Sequence, residues 1–136
     1  MTLKVLLPAL ALLAAVATPV FADEPGPGGS KPPIPKDGRE IYVFYCQACH
    51  MAGGKGAEGA GKFPALASNP RLGTTAYAIS IIEKGRGGMP WFSDQLSPTQ
   101  VAQVVAYLRT NFGNNYPEPV TANDVLPFAK PPKSER

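Results

Sequence analysis

Two residue types that build many catalytic and metal sites are scarce in this chain: 136 residues hold two cysteines and one histidine. A four-ligand structural zinc site needs a third cysteine or a second histidine, so that class is excluded. No stretch alternates apolar and polar residues for long enough to mark a half-buried strand, and no segment repeats. A thioredoxin-like redox pair needs a βαβ setting, which is therefore missing. No apolar run reaches the roughly 20 residues that span a bilayer. Net charge is only +3, without a basic patch or a recognition motif, so nucleic acid is not the expected partner. No acid–base pair stands out as catalytic machinery.

What is present begins with an export pattern. Lys4 supplies a positive start, Val5 to Val16 an apolar stretch, and Val20-Phe21-Ala22 a small-x-small cleavage site. A retained N-terminal anchor is the alternative, disfavoured by Pro8 and Pro19. The expected layout is a signal peptide over 1–22, a Pro/Gly-rich linker over 23–36, one domain over 37–128 and a flexible tail over 129–136. Removing Lys4 leaves 12 basic and 10 acidic residues, a net of +2. The expected location is the periplasm, with no transmembrane span after cleavage.

The two cysteines and the histidine fall together as Cys46-Gln47-Ala48-Cys49-His50. This Cys-x-x-Cys-His run is the attachment signal of c-type haem. Two thiols add across the two vinyl groups of the porphyrin, and a two-residue spacer sets both sulfurs along one edge. The next residue then lies under the ring with a nitrogen available to the iron. A small structural disulfide between Cys46 and Cys49 is the rival reading, but it gives His50 no role. Export and this motif support each other, because haem is attached to c-type proteins outside the cytoplasmic membrane.

Around that run the pattern is helical. Asp37-x-x-Glu40 resembles a capping box, opening a helix from Gly38 to Tyr45 that delivers the cysteines. Gly38 either admits a crossing helix at close range or only starts the helix. Met51 to Ser68 is Gly- and Ala-rich and reads as a long loop wrapped along a flat cofactor. A second helix is expected over roughly Ala76 to Lys84, with a stripe at Tyr77, Ala78, Ile81 and Ile82 and a stop at Gly85. The strongest helix signal runs from Leu96 to Phe112. Ser97 caps it, Pro98 and Gln100 fit its first turn, and Val101, Val104, Val105 and Leu108 form its buried stripe. In the Pro-rich end, Val120, Val125, Leu126 and Phe128 are candidate anchors. The expected class is all-α: three to four helices with long loops around one haem.

A six-coordinate iron needs a ligand opposite His50. With no second histidine, methionine is the natural donor. Met1 would leave with the leader, and Met51 adjoins His50 and cannot reach the other face. Met89 remains, between a Gly-rich loop and Pro90, and Met/His is an established haem pair. The metal ligands expected from sequence are thus His50 and Met89, and the cofactor-binding set is Cys46, Cys49, His50 and Met89. The alternative for Met89 is a flexible side chain filling a core gap.

These residues in this order resemble a bacterial class I c-type cytochrome, over about Asp37 to Phe112. Gly38-Arg39-Glu40-Ile41-Tyr42-Val43 is similar to the family's N-terminal helix, Pro64-Ala65-Leu66 to its Pro-x-Leu, Met89-Pro90 to its distal ligand, and Val105-Ala106-Tyr107-Leu108 to its C-terminal helix. Phe112-Gly113-Asn114, Val120-Thr121 and Asp124-Val125 are similar to the ends of haem modules in cytochrome subunits of membrane-bound sugar and alcohol dehydrogenases. Those subunits usually carry three haem sites; this chain has one. The resemblance implies that the N- and C-terminal helices cross, setting Gly38 and Tyr42 against Tyr107 or Leu108. It also implies that the Pro64 carbonyl accepts the His50 Nδ1–H.

The expected function is one-electron transfer by a covalently attached haem c, not enzymatic turnover. The expected partners are redox proteins: a periplasmic dehydrogenase as donor and an oxidase or another cytochrome as acceptor. A haem enzyme or gas-binding protein with an open iron position is the rival, and a fixed subunit of one dehydrogenase is another. Lys55, Lys62, Arg71, Lys84 and Arg86 either form a basic rim that guides an acidic partner or are a solvated scatter. Arg86 and Trp91 are candidates to bond a haem propionate.

Overall fold

The computed structural model describes residues 34–59 and 61–129. The expected leader over 1–22, residues 23–33 of the linker and residues 130–136 of the tail lie outside them. Asp37 opens the first element in an extended conformation, and its carboxylate accepts the Glu40 amide at 2.8 Å. Glu40 in turn accepts the Lys36 amide at 2.7 Å. Helical backbone then continues further than the expected stop at Tyr45. α1 (Gly38–Ile41) passes into a π-helical turn (Tyr42–Cys46) and on into α2 (Gln47–His50). A π turn takes one extra residue per turn and so re-aims the side chains that follow. Both cysteines and His50 therefore sit on one unbroken helical rod.

The Gly-rich segment that follows is not wholly irregular. A 3₁₀ turn (Ala52–Gly54) leads to a two-residue ladder, β1 (Ala57–Glu58) and β2 (Lys62–Phe63), antiparallel with Ala57 opposite Phe63. Sequence alternation could not mark strands this short. A second 3₁₀ turn (Pro70–Gly73) precedes α3 (Thr75–Lys84), α4 (Pro98–Thr110) and α5 (Ala122–Val125). The Ser97 and Gln100 capping box is present as expected.

The core gathers Ile41 and Tyr42, one face of α3, Phe92 and Leu96, the Val101–Leu108 stripe of α4 and Val125. Two expectations need correction. The buried face of α3 is Ala78, Ile79, Ile82 and Glu83, while Tyr77 and Ile81 are half-buried. The true face is turned by one residue, about 100°. Five of the six residues from Tyr77 to Ile82 are apolar, and a carboxylate closes the correct stripe, so periodicity pointed to the wrong side. In the tail, Val125 is fully buried but Leu126 is 57% exposed. Inside a one-turn helix the next residue points away from the core.

Gly38 has a packing role. It is buried against α4, where a β-carbon would collide with the Gln103 carbonyl oxygen and lie 2.7 Å from Tyr107 Cβ. Tyr42 follows one turn later, its ring 5.9 Å from Tyr107 and 4.9 Å from Phe112. The contact between N- and C-terminal helices implied by the resemblance is present, through Gly38 and Tyr42 on one side and Tyr107 on the other.

Arg109, in the last turn of α4, is 1% exposed. Its Nη1 donates to the Leu72 and Gly73 carbonyls at 3.0 and 3.2 Å, and its Nη2 meets Glu118 Oε2 at 2.6 Å. Its guanidinium also lies 5.7 Å from the Tyr116 ring centre. One buried cation thus ties α4 to the turn before α3 and to the tail. Arg109→Met strands the buried Leu72 carbonyl, removes the partner of Gly73 O, and is expected to cost about 2–4 kcal/mol. Glu118 is 70% exposed at its side chain, so Glu118→Gln should cost under about 1 kcal/mol. Denaturant titration of both variants checks this; equal losses would contradict it.

Candidate haem-binding site

Cys46 is half-buried against the core and Cys49 is exposed, and both are free thiols. The disulfide reading is therefore not what the fold shows. Burial pushes the Cys46 thiol up to about 12, and the neighbouring Cys49 adds to the shift. Before haem is attached, a thiol shifted that far is protonated at neutral pH, unlike the activated thiolate of a redox or metal-binding cysteine. No group of three or more His, Cys, Asp or Glu side chains suited to a metal ion occurs among the described residues.

His50 is 7% exposed and its Nδ1 lies 2.9 Å from the Pro64 carbonyl oxygen. A carbonyl can only accept, so Nδ1 carries the proton. Nε2 is left with its lone pair, the form in which imidazole binds a metal. The contact implied by the resemblance is present.

What holds His50 from the other side was not legible in the sequence. Met51, the next residue, adopts φ 65° and ψ 162°, a conformation that costs a non-glycine residue of order 1–3 kcal/mol unless its surroundings impose it. Three hydrogen bonds do so. The Met51 amide donates to Gln47 O at 2.8 Å. The Met51 carbonyl accepts from the Tyr42 hydroxyl at 2.7 Å and from the Gly54 amide at 3.1 Å. Burial raises the Tyr42 pKa, with Cys46 as the second cause, so the hydroxyl remains a donor. The only signal available was a tyrosine in an otherwise apolar stripe, and a buried tyrosine hydroxyl generally finds a partner.

Met89 stands on a separate loop, fixed at both backbone groups. Its amide and carbonyl pair with the carbonyl and amide of Arg86, each at 3.0 Å. The Phe92 amide bonds Ile82 O at 2.9 Å, pinning the loop to α3. Gly85 allows this closeness: at φ 70°, its missing β-carbon would fall 2.6 Å from the Met89 carbonyl oxygen. Met89 and Cys46 both pack, half-buried, against the same core. A concavity of about 330 Å³ is lined by Lys84 to Trp91. The structure thus joins Cys46, Cys49 and His50 on one rod and bonds that rod to Pro64. Met89 reaches the same core from the other loop.

The surroundings suit a flat apolar cofactor. Phe44, Met51, Phe63 and Trp91 are all more than a third exposed. Each lies within two residues of Cys46, His50, Pro64 or Met89. Large apolar side chains left partly exposed beside each site residue in sequence are what a porphyrin would bury. With two thiols at the attachment spacing and an imidazole presenting Nε2, the donor set fits haem c.

Of the basic residues considered for a rim, Lys62, Lys84 and Arg71 have partners within the chain. Lys62 pairs with Glu58 at 2.7 Å, and Lys84 lies 5.7 Å from the Phe128 ring centre. Arg71 bonds the Tyr77 hydroxyl and, helped by Arg86, holds that group below the usual tyrosine range. Trp91 Nε1 donates to Asp94 at 3.1 Å.

Residues 33–108 match the family described as cytochrome c oxidase, cbb3-type, subunit III. The chain belongs to this family of c-type cytochromes. It is accordingly an electron-transfer protein with covalently attached haem c. It is 37% identical over 101 residues to the cytochrome c subunit of a quinone alcohol dehydrogenase from Gluconacetobacter polyoxogenes, covering 65% of this chain and 21% of that protein. It is 36% identical over 81 residues to the cbb3-type cytochrome c oxidase subunit FixP of Azorhizobium caulinodans, 57% of this chain and 27% of the relative. Cytochrome c6 of Leptolyngbya boryana is 33% identical over 73 residues, 52% of this chain and 85% of the relative. The chain therefore spans about a fifth of the dehydrogenase subunit but most of a cytochrome c6. No helix among the described residues is long and apolar enough to cross a membrane.

Proposed function

We propose that this cytochrome is a periplasmic one-electron carrier with a closed, six-coordinate haem. Cys46 and Cys49 would hold the haem through two thioethers, and His50 Nε2 and Met89 Sδ would bind its iron. The observation that carries this reading is the 2.9 Å bond from His50 Nδ1 to Pro64 O, which fixes the tautomer and aims Nε2. Met89 is supported by elimination among the methionines and by the two-sided fixation of its backbone.

The haem supplies the Fe(II)/Fe(III) couple; the chain sets how readily it turns over. Two strong axial donors held by rigid backbone change little between oxidation states, which keeps reorganisation small. A thioether donor favours Fe(II) and raises the potential. Burial against an apolar core disfavours the extra positive charge of Fe(III) and acts in the same direction. Electrons would enter and leave at the exposed edge near Cys49. The proposed donor is a periplasmic dehydrogenase, and the proposed acceptor an oxidase or another cytochrome. Export by the 1–22 leader belongs to the same reading.

The purified oxidised protein is expected to show the weak long-wavelength Met–Fe(III) charge-transfer band and, once reduced, to bind carbon monoxide poorly. A high-spin spectrum with rapid carbon monoxide binding would overturn the carrier reading in favour of an open-site haem protein. The similarity to a dehydrogenase cytochrome subunit over 65% of the chain favours a second form of the same function, a fixed subunit of one dehydrogenase. Co-purification of a dehydrogenase in constant ratio separates that form from a free shuttle.

A further inference from the structure

We infer that Asn114 is a positioning residue for His50, acting through the strap 64–69 that presents the Pro64 carbonyl. The role presupposes that His50 binds iron, as proposed above. Asn114 lies beyond residues 33–108, the part matched by the family, yet its side chain reaches back to the strap.

Asn114 is 7% exposed and its carboxamide is engaged at both ends. Nδ2 donates to Leu66 O and to Leu108 O, each at 2.8 Å, and Oδ1 accepts the Asn69 amide at 2.8 Å. Leu108 is on α4, whereas Leu66 and Asn69 are on the strap. One buried side chain therefore clamps the strap at two points to the end of α4. The remaining bonds complete the clamp. Leu66 and Ala67 amides donate to Gly54 O at 2.7 and 2.9 Å, and the Ser68 amide donates to Phe112 O at 3.0 Å. Asn69 Nδ2 donates to Ala65 O at 2.8 Å.

Pro64 and Ala65 are themselves exposed, and proline has no amide with which to anchor itself. The aim of the Pro64 carbonyl is therefore set by its neighbours, the β2 ladder ending at Phe63 before it and the strap after it. Asparagine suits the clamp because one carboxamide offers both donors and an acceptor; aspartate lacks the donors and leucine lacks all three. The consequence reaches the iron. A carbonyl accepting Nδ1–H makes the imidazole a stronger donor to a bound metal. A strap that drifts weakens that donation, destabilises Fe(III) and raises the midpoint potential.

The test uses the holoprotein. In Asn114→Leu the midpoint potential is expected to rise. The His50 Nδ1–H, followed by NMR in the reduced protein, is expected to exchange at least about fivefold faster, the protection of roughly one hydrogen bond. Val125→Ala is the control: Val125 is fully buried in the same tail, so it should lower stability and move neither quantity. If Asn114→Leu loses stability but leaves potential and exchange as in Val125→Ala, Asn114 is only a structural staple and the proposal is overturned. Should Asn114→Leu yield no holoprotein, Asn114→Ser keeps one donor and is judged by the same two outcomes. A wild-type holoprotein with no imidazole resonances shifted by the haem overturns the His50 reading itself, and is recognisable before any variant is made.

Discussion

Met89→Ala should yield a protein that still carries its haem but has an open iron position. Attachment depends on the thioethers, so the cofactor stays through denaturing electrophoresis. The charge-transfer band disappears, the reduced form binds carbon monoxide rapidly, and the midpoint potential falls. The fall should be on the order of 0.1–0.3 V, a fraction of the roughly 0.8 V over which axial ligands tune haem. The direction follows from losing a thioether that favours Fe(II). Met89→His should keep the site closed and still lower the potential, because imidazole favours Fe(III) more than a thioether does. Met51→Ala is the informative contrast: Met51 is 39% exposed and follows His50 directly in the chain, so the spectrum should be unchanged. An unaltered spectrum in Met89→Ala would remove Met89 from the iron. The Arg86 pairing and the Gly85 contact would then be explained as loop packing alone.

Gly38→Ala should be among the most damaging changes outside the site. The added β-carbon meets the Gln103 carbonyl oxygen, the Gln103 carbonyl carbon at 2.8 Å and Tyr107 Cβ at 2.7 Å. None of these is the end of a flexible side chain, so the helices themselves must separate. Overpacking of a rigid contact costs about 1–3 kcal/mol and occasionally more; here the upper end is expected, because the opening spreads to the buried Ile41 and Tyr42. Truncating Gln103 to alanine in the same chain should not rescue it, since its backbone makes the contact. The measurement is the denaturation midpoint of the holoprotein by circular dichroism, with haem absorbance as a second probe. A shift worth less than about 1 kcal/mol would mean that α1 slides past α4 without loss. A secondary effect is expected at the haem. α1 continues through Tyr42 to Cys46 and His50, so displacement of the rod should loosen the Tyr42–Met51 bond and broaden the spectrum.

Several features were legible because they are local. Ser97-Pro98 with Gln100 caps α4 as its sequence implies, and Val101, Val104, Val105 and Leu108 are its buried stripe. Asp37 opens α1 through the Glu40 amide. Each of these depends on residues within a turn or two of one another. The α3 face was misjudged because its run is apolar nearly all round, and only the packing of neighbours selects one side. Arg109 and Asn114 carry no local mark. An arginine in a last helical turn and an asparagine after a helix look the same in sequence whether solvated or buried. Their partners Leu72, Leu66 and Asn69 are between 37 and 48 residues away.

The sequence alone determined the chemistry at Cys46–His50, because covalent attachment and ligation depend on which atoms are present and on a two-residue spacing. Among its methionines it also pointed to Met89 as the distal donor proposed above. Tertiary structure decided how that chemistry is held. The π turn and α2 carry both cysteines and His50 on one rod, and Tyr42, Gln47 and Gly54 together hold the unusual backbone at Met51. The strap that aims Pro64 at His50 Nδ1 is clamped by Asn114, near the other end of the domain. Hydrogen-bond direction and burial arise where distant segments meet, so a single residue's identity cannot specify them. The run that opens the site states that haem is bound; the contacts gathered around His50 fix how that histidine is presented.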